Sequence, residues 1–109
     1  MRRFYKFSEL GAEHQGEVVG HLGRKAAAST RWELVRDFPI ENAVALASDL
    51  SVMVSDHRVR SVVLGLEAGG KFRPILVDEI GDPWIEGIHR SFAAEELGYG
   101  SVPALVRVG

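Results

Sequence analysis

The chain has 109 residues, of which 46% are hydrophobic and 26% charged, and its formal net charge is -2. This composition predicts a soluble globular protein with a core of its own and excludes general disorder. Because the sequence contains no cysteine, disulfides, thiolate metal sites and cysteine nucleophiles are excluded. No apolar run suits a signal peptide or a membrane span, so we expect a cytoplasmic protein with no membrane partner.

Charge is distributed unevenly along the chain. Residues 1–38 carry a net charge of +2 and residues 39–109 a net charge of -4. Together with Pro39, this change predicts an N-terminal helical extension at 1–38 and a separate α/β domain at 39–109. Proteins that bind nucleic acid mainly by neutralising phosphates are usually basic, so the overall balance disfavours nucleic acid as a partner.

The first forty residues predict a strand, a helix and a turn. Aromatic and basic residues between Arg2 and Phe7 favour a short strand. Apolar spacing predicts a helix from Ala12 to about Ala28, although three internal glycines lower its propensity. Its small residues share one face, which would either pack within the chain or form a homodimer contact. These small residues are Ala12, Gly16, Gly20, Gly23 and Ala27. A helical turn is predicted after Thr30, ending at Pro39.

The rest of the chain predicts alternating strands and helices. A short apolar strand is expected at 44–47 and a helix at 57–67, capped by Asp56 and ended by Gly69 and Gly70. Apolar runs, turn residues and helical periodicity then predict a buried strand at 74–78, a turn at 81–83, a return strand at 84–86, a helix at 88–97 and a last strand at 102–108.

The strand-to-helix junction at Glu86-Gly87-Ile88-His89-Arg90 is the strongest functional signal. The first turn of a helix offers free N–H groups and the positive end of the helix dipole, and Arg90 adds a cationic fork. Gly87 allows a phosphate to approach the backbone, and His89 can donate to it or exchange protons. Glu86 is a candidate base or oxygen ligand.

This block resembles the ParB/sulfiredoxin superfamily, whose core carries an acidic residue, Gly, any residue, His or Arg, and then Arg at a helix start. The helix ending at Gly69-Gly70, the strand Pro74-Ile-Leu-Val and the ending Gly98…Val102-Pro103 are similar as well. The resemblance covers about residues 42–109. It implies an α/β fold with a small ParB/sulfiredoxin-like core, preceded by a strand-plus-helix extension.

The resemblance also implies a function. Members bind ATP or CTP, so Gly87, His89, Arg90 and Ser91 would bind the nucleotide phosphates. Glu86 and His89 would be the catalytic residues, and Mg²⁺ would accompany the nucleotide in phosphoryl transfer or hydrolysis. Sulfiredoxins have a cysteine where this chain has Ile88, which removes their redox chemistry.

Other interpretations stay open at this point. The junction at 86–90 is also explained as a helix-capping turn that binds nothing. A non-catalytic protein-interaction module of phage or mobile-element origin is the alternative function, and a ParB-like DNA-binding or nuclease protein is the third. We expect no protein-held metal site, because the acidic hairpin around Asp78 suits a solvated turn. Surface positions are expected for His14 and His21, and core positions for Trp32 and Trp84.

Overall fold

The computed structural model describes residues 2–50 and 54–109 as a mixed α/β fold, which confirms the predicted fold class. In chain order the elements are β1 (Arg3–Lys6), a 3₁₀ turn (Phe7–Glu9), α1 (Ala12–Leu22), α2 (Arg24–Ala27), β2 (Arg31–Pro39), α3 (Ile40–Leu50), α4 (Asp56–Glu67), β3 (Ile75–Asp78), β4 (Trp84–Glu86), α5 (Ile88–Glu96) and β5 (Ser101–Arg107).

One five-stranded sheet organises the molecule, in the order β1-β2-β5-β3-β4. The β3–β5 pair is parallel and the other three pairs are antiparallel. Strands from both predicted regions, 1–38 and 39–109, therefore belong to the same sheet. Among the residues that the structure describes, no helix is long and apolar enough to cross a bilayer.

Each face of the sheet carries its own core, because successive strand residues point to opposite sides. On one face, α3 and α5 pack on buried strand residues such as Ile75, Val77 and Ile85. On the other face, α1 and α2 pack on a second cluster that includes Trp32, Leu76 and Trp84. The core positions predicted for both tryptophans are confirmed.

Two predicted elements were wrong. The turn expected after Thr30 is the long strand β2, which pairs with β1 on one side and β5 on the other. The strand expected at 44–47 lies inside helix α3, where Ala43 and Ala47 are fully buried one turn apart. Alanine is the strongest helix former, and these two small side chains let α3 approach the sheet closely.

Two helix boundaries also differ from their predictions. The helix expected over 12–28 is divided into α1 and α2 at Gly23, whose φ of +83° is outside the helical region. The N-cap of α4 is Ser55 rather than Asp56, and its Oγ accepts from the N–H of Arg58 at 3.3 Å. The predicted hairpin β3–β4 and helix α5 are confirmed.

Pro103 explains an irregularity in β2. The register passes from Val35↔Ala104 to Phe38↔Val102, so two residues, Arg36 and Asp37, lie opposite the single residue Pro103. Because proline has no N–H to offer a neighbouring strand, the ladder cannot continue regularly at this point. The bulge moves Arg36 and Asp37 out of the regular pairing and leaves both exposed.

A buried hydrogen-bond chain behind Trp32 yields a stability prediction. The fully buried Trp32 donates from Nε1 to Thr30 Oγ1 at 2.8 Å, and that hydroxyl donates to the carbonyl of Ala27 at 2.7 Å. We expect Thr30→Val to lower the free energy of unfolding by about 1–3 kcal/mol, because the indole N–H loses its acceptor inside the core. Urea denaturation measures the change.

Ser29→Ala is the matched control for Thr30→Val. The Ser29 hydroxyl also donates to a carbonyl of α2, that of Ala26, but the residue is exposed. We expect its replacement to change stability by less than about 0.5 kcal/mol. Equal effects of the two substitutions would contradict the role given to the buried Trp32–Thr30 bond.

Candidate anion-binding site

The amino-terminal end of α5 is open. Strand β4 ends at Glu86, Gly87 turns the chain with a φ of +106°, and α5 begins at Ile88 without a side-chain cap. The first intrahelical bond is donated by the N–H of Ser91 to the carbonyl of Gly87, at 2.9 Å. The N–H groups of Ile88, His89 and Arg90 precede this bond, so they have no acceptor within the helix. They form the positive end of the helix dipole.

The guanidinium of Arg90 folds back over Gly87. Its Nη2 donates to the carbonyl of Pro74 at 3.3 Å, whereas its Nε is buried and has no hydrogen-bond partner among the described residues. A Cβ on Gly87 would lie 2.8 Å from that Nη2 and 2.6 Å from Cγ2 of Ile75. Position 87 therefore requires glycine for two reasons: its backbone is left-handed, and Arg90 packs where a Cβ would lie.

The charge of Arg90 is poorly compensated. Burial is the main cause that lowers the pKa of its guanidinium, and repulsion from Arg73 lowers the pKa further. Glu17 and Glu86 oppose the shift but do not cancel it. Arg73 is itself paired with Glu17 at 3.3 Å and also with Glu13. These two carboxylates therefore neutralise Arg73 as well as Arg90. A bound anion would supply negative charge beside Arg90 and stabilise its charged form.

A cleft of about 430 Å³ opens onto this helix end. Arg58 and Ser61 reach it from α4, and Arg73 from the segment before β3. Its arginines and its histidine come from α4, the segment before β3 and α5. The residues that line the cleft are Glu17, Arg58, Ser61, Val62, Arg73, Glu86, Gly87, Ile88, His89 and Arg90.

His89 connects the two helices that border the cleft. The backbone N–H of Ser55, at the start of α4, donates to Nε2 of His89 at 3.3 Å. In the neutral ring the proton is therefore on Nδ1, which is the nitrogen left to donate to a ligand. This bond places the beginning of α4, and with it Arg58, beside the open end of α5.

Glu86 is paired with a helix from the amino-terminal region. Its Oε2 lies 2.7 Å from Nε2 of His21 in α1, and the His21 ring stacks on Trp84 with a centroid distance of 4.1 Å. Gly16 and Gly20 leave the space beside this pair open, and neither glycine would meet another atom if it carried a Cβ. The small-residue face of α1 is therefore exposed along these two glycines rather than packed within the chain.

The structure brings four of the five predicted site residues to one cleft: Glu86, Gly87, His89 and Arg90 all line it. Ser91 is fully buried instead, and its hydroxyl donates to the carbonyl of Gly87 at 2.9 Å. Its position suits a role in holding the turn at Gly87.

Several site residues were missed from the sequence. Glu17, His21 and Arg73 were not connected with the motif, because nothing local shows that α1 and the segment before β3 pack beside α5. Arg58 is exposed on α4 and also lines the cleft.

Two other polar residues are placed differently from expectation. His14 is buried and donates from Nε2 to the carbonyl of Pro74 at 2.9 Å, so its predicted surface position was wrong. Asp78 is 1% exposed and pairs with Arg107 at 2.9 Å, rather than lying in a solvated turn. Within residues 2–50 and 54–109, no group of three or more His, Cys, Asp or Glu side chains is arranged to hold a metal ion.

Comparisons of the chain with protein-family models, with curated proteins and with solved structures found no match. The class that the fold and site define is a mixed α/β protein with a cationic cleft at a helix amino terminus. The resemblance of residues 42–109 to the ParB/sulfiredoxin superfamily stays a prediction from the sequence.

Proposed function

We propose that the cleft binds the phosphates of a nucleotide, ATP or CTP, at the amino-terminal end of α5. The observation that carries this proposal is the convergence of Arg58, His89 and Arg90 on uncapped helix N–H groups, with the guanidinium of Arg90 desolvated and its Nε unpaired. Helix amino termini and planar guanidinium groups are the usual means by which proteins bind phosphate oxygens.

Each side chain then has a distinct role toward the phosphates. Arg90 places a charged fork over Gly87, Arg58 closes the cleft from α4, and His89 donates from Nδ1. Mg²⁺ commonly takes most of its ligands from phosphate and water and only one or two from protein carboxylates. Glu17 lines the cleft and is suited to that position.

Phosphoryl transfer or hydrolysis is the reaction that such a site would support, because positioning and charge neutralisation supply most of its catalysis. Glu86 would accept a proton from the attacking hydroxyl or water, as a general base, and His21 would hold its carboxylate through the 2.7 Å contact. The cytoplasmic location is part of the same proposal.

The role of Arg58 is tested by a charge reversal on α4. We expect Arg58→Glu to weaken the binding of MgATP, MgCTP and pyrophosphate by about tenfold or more, because it replaces an attraction to phosphate by a repulsion inside the cleft. Isothermal titration calorimetry measures the three dissociation constants.

Arg60→Glu provides the matched control for this experiment. Arg60 is exposed on the same helix and undergoes the same change of charge, but it does not line the cleft. The Arg60→Glu variant should bind MgATP, MgCTP and pyrophosphate with affinities within about twofold of the original protein, because exposed charges outside the cleft are screened. Equal losses in both variants would show that only the overall charge matters and would contradict the site.

A further inference from the structure

The outer edge of the sheet at β1 carries a second concentration of positive charge. Five of the seven Lys and Arg residues in 1–38 lie on or beside β1 and β2: Arg2, Arg3, Lys6, Arg31 and Arg36. The same strands contain two acidic residues, Glu33 and Asp37, and Glu33 is paired with Arg2 at 2.8 Å. This edge is distinct from the cleft at α5, because β1 and β4 are the opposite ends of the sheet.

The backbone of β1 is paired on one side only. Its neighbour is β2, with register Arg3↔Leu34 to Lys6↔Arg31, and no other described strand adjoins it. Of its four residues only Tyr5 is half-buried, and the Phe4 side chain is 51% exposed. The N–H of Lys6 already donates to Oε1 of Glu9 at 2.8 Å. The backbone groups of β1 that another extended segment can pair with are therefore the N–H and C=O of Phe4 and the C=O of Lys6.

The aromatic side chains of β1 are held beneath cations. The guanidinium of Arg2 lies 5.3 Å from the ring centroid of Phe4, and that of Arg3 lies 5.4 Å from the ring of Tyr5. A hollow of about 660 Å³ lies alongside, between Arg2 and Arg3 and the bulged residues Arg36 and Asp37 of β2. The edge therefore combines exposed backbone, an apolar ring and several cations in one place.

The charges decide which occupant fits. If a second copy paired antiparallel through β1, with Phe4 opposite Phe4, Arg2 of one copy would face Lys6 of the other. Like charges directly opposite each other destabilise a strand pair, whereas opposite charges stabilise it. The pattern thus opposes self-association through this edge and favours a strand whose side chains are acidic.

We propose that β1 is a docking edge for an extended acidic segment of another protein, which adds to the sheet as a sixth strand. Its backbone pairs with β1, its carboxylates meet Arg3 on one face of the sheet, and its apolar side chains pack on Phe4 and the stem of Lys6 on the other face. This inference is independent of nucleotide binding at α5 and goes beyond it.

The test uses the full chain and fluorescence anisotropy with three labelled probes. The first is a peptide of alternating Glu and Val, the second has the same sequence with alternate backbone nitrogens methylated, and the third is single-stranded oligo-dT. We expect the first peptide to bind saturably and the methylated one to bind at least about tenfold more weakly, because it cannot form the strand ladder.

Charge reversal at the edge supplies the second part of the test. Arg3→Glu with Lys6→Glu should abolish binding of the Glu/Val peptide and create binding of a Lys/Val peptide. Arg60→Glu with Lys71→Glu is the matched control, since both residues are exposed and away from β1, and it should leave both affinities unchanged. Circular dichroism confirms that each variant is folded.

Several outcomes would overturn the proposal. Equal binding of the methylated and unmethylated peptides would show attraction of charge without strand addition. Tighter binding of oligo-dT than of the Glu/Val peptide would assign the edge to nucleic acid. Concentration-dependent dimerisation lost in the Arg3→Glu, Lys6→Glu variant would assign it to a second copy, and absence of saturable peptide binding would remove the site altogether.

Discussion

Arg90→Met is expected to weaken nucleotide binding strongly while leaving the protein as stable as before or slightly more stable. The affinity for MgATP, MgCTP and pyrophosphate should fall by about 10- to 100-fold, the amount carried by one or two hydrogen bonds to a charged group. Isothermal titration calorimetry measures the affinity, and urea denaturation measures the stability.

The stability part of this expectation follows from the surroundings of Arg90. The guanidinium is desolvated, repelled by Arg73 and incompletely hydrogen-bonded, so its removal relieves a cost. The carbonyl of Pro74 would lose its bond from Arg90 but keep the bond from His14 at 2.9 Å. Methionine retains an unbranched stem that can fill most of the same space.

Arg24→Met is the control for the loss of one positive charge. Arg24 is exposed at the start of α2, on the opposite face of the sheet from α5. We expect it to leave the three affinities unchanged. A large loss of stability in Arg90→Met, with affinity retained, would mean that Arg90 is a structural residue and that phosphates bind elsewhere.

Gly87→Ala is expected to lower the free energy of unfolding by about 2–5 kcal/mol, more than Thr30→Val. Two costs combine at this position. An L-residue is strained at a φ of +106°, and the new Cβ would lie 2.6 Å from Ile75 Cγ2 and 2.8 Å from Nη2 of Arg90. Ile75 is fully buried in the sheet and cannot move away without disturbing the core.

Gly16→Ala is the matched control, with an effect of the opposite sign. Gly16 lies inside α1, and a Cβ there would meet no atom within 4 Å. Alanine is the better helix former, so this substitution should raise the free energy of unfolding by about 0.5–1 kcal/mol. Urea denaturation separates the two cases, and a Gly87→Ala variant as stable as the original protein would contradict the geometry of the turn.

The second half of the chain was more predictable from its sequence than the first. The strand at Ile75–Asp78, its return strand and helix α5 follow from local signals, namely an apolar run, a Gly81-Asp82-Pro83 turn and helical periodicity. Strand β2 did not follow, since the segment after Thr30 is extended by pairing with β1 and β5, which are distant in sequence. Long-range pairing of this kind overrides local propensity.

Some residues of the candidate site were likewise predictable from the sequence, and others were not. Glu86, Gly87, His89 and Arg90 are consecutive around one strand-to-helix turn, so their common location was predictable. His21, Arg58 and Arg73 reach the same place only because α1 covers one face of the sheet and α4 borders α5 on the other. No spacing in the sequence records that arrangement. The burial that lowers the pKa of Arg90 is likewise a property of the folded state.

Amide-resolved NMR can locate the phosphates at the uncapped amino-terminal end of α5. In ¹⁵N–¹H spectra recorded during titration with MgATP, and separately with pyrophosphate, the N–H resonances of Ile88, His89 and Arg90 should show the largest saturable shifts. The Nε–H resonance of Arg90 should move with them, because its unpaired donor gains an acceptor. No saturable shift, or shifts centred on residues outside this cleft, would show that phosphates do not bind at the amino-terminal end of α5.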